Sequence, residues 1–129
     1  MWPIKNTKPK AVFETVEGRQ GDIDAARKIR DLCSFASDSA ESVASYIDRF
    51  EDKYRKYQQT RYESAKQRAL KTSLKMHDQD LRDSSLRDVI RLCLKANDLR
   101  TAAVLMSAIQ SKSVRATVLK EHPGLSARL

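Results

Sequence analysis

The sequence predicts an all-α fold: a bundle of five or six helices organised around one long helix at about 39–76, with a C-terminal three-helix, hairpin-like unit at about 84–122. Three observations predict it. Only three Gly and three Pro occur in 129 residues, too few to turn the chain of a sandwich or barrel. Between Ser39 and His122 there is neither a Gly nor a Pro to break a helix. Apolar residues recur at three- and four-residue spacing from Ile23 onward, the period of an amphipathic helix.

Residues 1–10 read as a basic extended arm with Lys5, Lys8 and Lys10, Pro3 and Pro9, and Trp2 near its start. Residues 11–124 read as a single helical domain and 125–129 as a tail. Pro9 to Glu17 suits a short helix stopped by Gly18, although Ala11 to Val16 also alternates partly like a strand. Asp22 follows Gly21 as a predicted N-cap. The stripe Ile23, Ala26, Ile29, Leu32, Cys33 and Ala36 then defines a helix expected to end near Ala36.

The long helix is expected to start where Asp38 and Glu41 fit a capping box. At ~1.5 Å per residue it would run roughly 57 Å. Its first half carries Val43, Ile47, Phe50, Tyr54 and Tyr57 at heptad-like spacing with Tyr46 beside them, a seam for the core or for a partner. Further along the same seam the chemistry becomes basic, at Arg61, Arg68, Lys71 and Lys75, with Lys53 at its edge. The weakly apolar Tyr62, Ala65, Ala69 and Met76 drift to a neighbouring face.

Beyond it, His77-Asp78-Gln79-Asp80 reads as a loop or a frayed turn, and Ser84 or Ser85 as the cap of a helix bearing Leu86, Val89, Ile90, Cys93 and Leu94. Asn97 is a predicted left-handed stop and Asp98 the next cap. Leu99 to Gln110 is apolar nearly all round and is expected to be the most buried helix. Ser111 or Ser113 caps the last helix, which Pro123 ends. The short links imply antiparallel neighbours.

Charge is the functional signal. From Lys53 to Lys75 eight cations (Lys53, Arg55, Lys56, Arg61, Lys66, Arg68, Lys71, Lys75) face one anion, Glu63, so this segment holds +7 of the net +8. A cationic helix face is commonly just solvated; so strong a concentration favours a polyanionic or acidic partner. The expected function is therefore a non-enzymatic, nucleic-acid-associated role. Lys53, Arg61, Arg68, Lys71 and Lys75 would lie along phosphates, with Tyr62 the freest aromatic for stacking on bases. The alternative is an adaptor or regulator that uses the seam Tyr46, Phe50, Tyr54 and Tyr57 for a helical partner, a second copy included, or the basic half for an acidic protein.

Catalysis finds little support. His77 and His122 have no Cys or carboxylate at ligand spacing, no Gly-rich phosphate loop is present, and Asp78, Asp80, Asp83 and Asp88 are matched by Arg82, Arg87, Arg91 and Lys95 as a salt-laced surface. No metal or cofactor is expected. Cys33 and Cys93 read as buried thiols, and with no apolar run of spanning length the expected location is cytoplasmic.

Overall fold

The computed structural model describes residues 16–45 and 52–128. It is an all-helical bundle of five packed helices: α1 (Val16–Ala44), α2 (Asp52–Leu74), α3 (Gln79–Lys95), α4 (Leu99–Ala108) and α5 (Lys112–Glu121), closed by a 3-10 turn at Pro123–Arg128. The arm at 1–10, Trp2, and the seam residues Tyr46, Ile47 and Phe50 lie outside the described residues.

The long helix differs from expectation in where it runs. The first helix continues without interruption from Val16 to Ala44, and Asp52–Leu74 is a second helix folded back against it. The Nε of Arg61 donates to the Oγ of Ser39 at 2.9 Å. A straight helix through both residues would separate them by roughly 33 Å, so a continuous 39–76 rod is excluded. At two of the expected breaks inside α1, polar side chains bond across the bundle instead of along the chain. Ser37 accepts from the Nζ of Lys95 at 2.6 Å, and buried Ser39 accepts from Arg61. Asp22 is not a cap; its buried carboxylate accepts from the backbone N–H of His77 and of Asp78, at 3.1 and 2.6 Å. Gly18 and Gly21 are carried inside the helix, where tertiary packing overrides their weak propensity.

The bonds set the directions. Asp22 meets Asp78 at one end and Ser37 meets Lys95 at the other, so α1 and α3 run parallel and in direct contact, with α2 antiparallel to both. Ile29, Leu86, Val89, Ile90, Cys93, Leu105, Met106, Ile109, Val118 and Leu125 form the main core. A second cluster (Ala36, Ala40, Tyr62, Ala65, Leu92 and Ala96) lies where α1, α2 and α3 meet, with small residues that let the helices approach closely.

Three of the predicted caps and stops are in place. Asn97 takes φ 61°, the Asp98 carboxylate accepts from the Thr101 N–H at 3.4 Å, and Ser111 Oγ accepts from the Val114 N–H at 3.2 Å. The start of α3 moves upstream: Asp78, rather than Ser84 or Ser85, is its N-cap, accepting from Leu81 N–H at 3.0 Å, and Ser85 is buried. The most deeply embedded helix is α3, with Asp83, Ser85, Leu86, Val89, Ile90, Leu92 and Cys93 buried; α4 buries only Ala102, Leu105 and Met106 and leaves Val104 63% exposed. Helix α5 packs on α3 and on the terminal turn, whose Leu125, assigned to the tail by sequence, is buried in the main core.

The acidic stretch is likewise put to other uses. Asp83 is fully buried and accepts from the backbone N–H of Gln110 and Ser111 at 3.3 and 2.9 Å, fastening the α4–α5 link to α3. Arg87 and Arg91 turn away from it to the Glu121 carboxylate on α5, at 2.7 and 3.0 Å. The Arg87 hydrogen bond is the main reason the Glu121 carboxyl is held below its ordinary pKa.

Candidate nucleic-acid interface

Helix α2 is the most polar element of the bundle. Its inward side is made by Tyr62, Ala65, Ala69 and Ser73, all buried. At about 100° per residue, Lys53, Arg68, Lys71 and Lys75 gather in a roughly 60° arc on the side away from Tyr62. All four are exposed, and none forms an ion pair among the described residues. The structure thus brings four of the five cations singled out by sequence onto one open face.

Arg61, the fifth, is spent on the fold. Its guanidinium donates to Ser39 Oγ at 2.9 Å, to the Phe35 carbonyl at 3.3 Å and to Tyr57 Oη at 3.3 Å. It also lies over the Phe35 ring, 4.1 Å from the centroid, with the Tyr57 ring at 5.6 Å. It stitches α2 to α1 at the border of the basic face. Beside it runs a groove of about 210 Å³ lined by Leu32 and Phe35 from α1 and by Thr60, Ser64 and Arg68 from α2.

The tyrosines exchange the roles that sequence gave them. Tyr62, expected to be the free aromatic, is 1% exposed, and its hydroxyl donates to Asp98 Oδ2 at 2.7 Å. Burial, with the neighbouring Cys93 and Asp98, pushes its pKa upward, so it stays a neutral donor. Tyr54 and Tyr57, expected in an apolar seam, are instead exposed, at 44% and 56%. The reason is register: the face of α2 that meets the core is the one carrying Tyr62, Ala65 and Ala69, and Tyr57 falls far around from it. Seam residues Tyr46 and Phe50 lie outside the described residues.

Lys66 is also withdrawn from the basic face. Its ammonium bridges Glu63 at 2.9 Å and Asp98 at 3.0 Å. Burial works against the charged form, but the hydrogen bonds and charges of Glu63 and Asp98 outweigh it and hold the Lys66 pKa above its ordinary value. For Asp98, burial opposes ionisation, and the combined hydrogen bonds from Tyr62, Lys66 and Thr101 overcome it, so its pKa lies below the usual carboxylate value.

Sequence reasoning missed Phe35. It is 63% exposed and borders the basic face through its contact with Arg61, a partner 26 residues away in the chain. The available signal was an aromatic placed off the apolar stripe of its own helix.

Other chemistry is sparse. Among the described residues no three His, Cys, Asp or Glu side chains gather at metal-binding distance. Cys33 and Cys93 are free thiols. Burial pushes their pKa up to about 12 and about 11, so both hold their protons at neutral pH, in the poorly nucleophilic form. Among the described residues no helix is long and apolar enough to cross a membrane. Comparison of the chain with protein-family models, with curated proteins and with solved structures finds no match.

Proposed function

We propose that the protein is a non-enzymatic nucleic-acid-binding module that lays the outer face of α2 along a phosphate backbone. The observation that carries this reading is the exposed set Lys53, Arg68, Lys71 and Lys75, held on one side of α2 and of the turn that ends it and left without acidic partners among the described residues. Each protein cation that meets a phosphate releases a counterion condensed on the nucleic acid, so several cations acting together give the affinity. The same reading places the protein in the cytoplasm, where thiols such as Cys33 and Cys93 remain unpaired.

The test is fluorescence anisotropy with labelled oligonucleotides across a salt series. About four phosphate contacts predict a log–log salt slope near −3 to −4. The informative variant is Arg68→Glu with Lys75→Glu. Arg61 is avoided because reversing it would remove the bonds that hold α1 to α2. The double reversal should keep the helical circular-dichroism spectrum and melt, and lose binding. Absence of binding by the wild type at low salt, or full binding by the reversed variant, overturns the reading and leaves an acidic protein as the partner to seek.

A further inference from the structure

We propose that the ligand of this surface is a single strand, its phosphates along Arg68, Lys71 and Lys75 and its bases stacked on the aromatic cluster that Phe35 and Tyr57 build around Arg61. This rests on the nucleic-acid reading of α2 and adds to it the form of the ligand.

Three features point that way. First, Phe35 and Tyr57 keep 63% and 56% of their surface open, although each touches the same guanidinium. They come from different helices, and Arg61 holds them in register: it is bonded to Tyr57 Oη, to the Phe35 carbonyl and to Ser39. A ring fixed in this way loses little freedom when a second ring stacks on it, so the platform is organised before the ligand arrives. Second, the cluster adjoins the cations. Phe35, Arg61 and Arg68 line one groove of about 210 Å³, so the aromatic cluster and the exposed basic arc share its walls. That volume is below the roughly 300–1,000 Å³ of small-molecule pockets, which suits one flat ring entering from a chain held outside. Third, a duplex keeps its base faces within its own stack and offers an aromatic platform nothing unless it is opened, whereas an unpaired strand presents a π-face at every nucleotide.

Charge alone would favour the duplex, whose phosphates lie more densely along its axis. Aromatic faces beside the charge are what discriminate; each stacked base is worth roughly five-fold or more by alanine substitution, so two of them give a preference of roughly ten-fold or more. No hydrogen-bonding array for reading base edges is needed, so the preference is for strandedness and not for sequence.

The experiment measures anisotropy with four labelled ligands of equal length: a thymidine DNA strand, a uridine RNA strand, an abasic phosphodiester strand, and a mixed-sequence duplex. The proteins are the wild type, Phe35→Ala, Tyr57→Ala, Phe35→Trp, and the Arg68→Glu/Lys75→Glu variant, each checked for an unchanged thermal melt. Wild type should bind a base-bearing strand, DNA or RNA, at least ten-fold more tightly than the abasic strand or the duplex. Phe35→Ala and Tyr57→Ala should bring the base-bearing strands down towards the abasic one and leave duplex affinity and salt slope where they were. Phe35→Trp should restore the preference. Equal binding of all four ligands, abolished by the charge reversal but unmoved by Phe35→Ala, overturns stacking and leaves the phosphate reading standing. Absence of binding to any ligand, or binding indifferent to the charge reversal, overturns both.

Discussion

Replacing Tyr62 by Phe removes one oxygen from the junction of α2, α3 and α4 and leaves the ring in place. Tyr62 is 1% exposed, and its hydroxyl bonds to Asp98 Oδ2 at 2.7 Å. A hydrogen bond to a charged acceptor contributes ~1.5–3 kcal/mol. The low end applies, because Asp98 is not orphaned: Lys66 still reaches Oδ2 at 3.0 Å and Thr101 N–H still reaches Oδ1 at 3.4 Å. The variant should therefore lose about 1.5 kcal/mol, a little over ten-fold in the folding equilibrium. With an unfolding entropy of ~2.1 cal/mol/K per residue, that is a fall in Tm of about 5 °C for a chain of this size. Urea unfolding followed by circular dichroism should show a lower midpoint at unchanged slope. A loss below about 0.5 kcal/mol would mean that the buried bond contributes nothing beyond what water gives the unfolded chain, and the argument for Tyr62 as a core lock would fail. Tyr62→Ala, which also empties the ring's volume, should cost about 3–5 kcal/mol.

Three further outcomes follow from other sites. Asp83→Ala should destabilise by about 2–4 kcal/mol in urea titration, since it removes a buried carboxylate that satisfies two backbone amides of the α4–α5 link. Gly21→Ala should stabilise by about 0.5–1 kcal/mol: Gly21 lies inside α1, its φ is not positive, and an added methyl group meets nothing within 4 Å. Stability should be level between about pH 7 and 8.5 and fall above pH ~9. The thiols of Cys33 and Cys93 and the hydroxyl of Tyr62 have raised folded pKa values, so their contribution is complete below the unfolded values and is lost as pH rises towards the folded ones, about 12 and about 11 for the two thiols. Urea midpoints at pH 7, 9 and 10.5 check this, and an equal midpoint at all three would refute it.

Local signals in the sequence were read well where the structure uses them locally. Asn97, Asp98 and Ser111 serve as a stop and two caps because each bonds within its own turn. The same residue types misled wherever their partner lies across the bundle. Asp22 and Asp83 look like a cap and a surface charge, and they hold backbone amides 55 and 28 residues away. Ser37 and Ser39 flank the expected capping residue Asp38, and they receive Lys95 and Arg61. The basic face was legible because exposed cations need no partner to be recognised. The division of the long helix was not, since nothing in composition between Ser39 and Met76 marks a reversal. Large apolar residues suggested a seam through Tyr54 and Tyr57, whereas close helix approach favoured the small Ala65 and Ala69, and so set which face of α2 turned inward.

The reach of Asp22 has a kinetic consequence. Its bonds to His77 and Asp78 span 55 and 56 residues, and α2 must fold back along α1 before the start of α3 can arrive at that carboxylate. Closing so long a loop costs entropy before the contact returns anything. The Asp22 clamp should thus form after the folding barrier, when the first two helices have already paired. Removing it would hasten unfolding and leave the folding rate almost unchanged, which makes this one carboxylate the latch that sets how long the bundle, once assembled, stays shut.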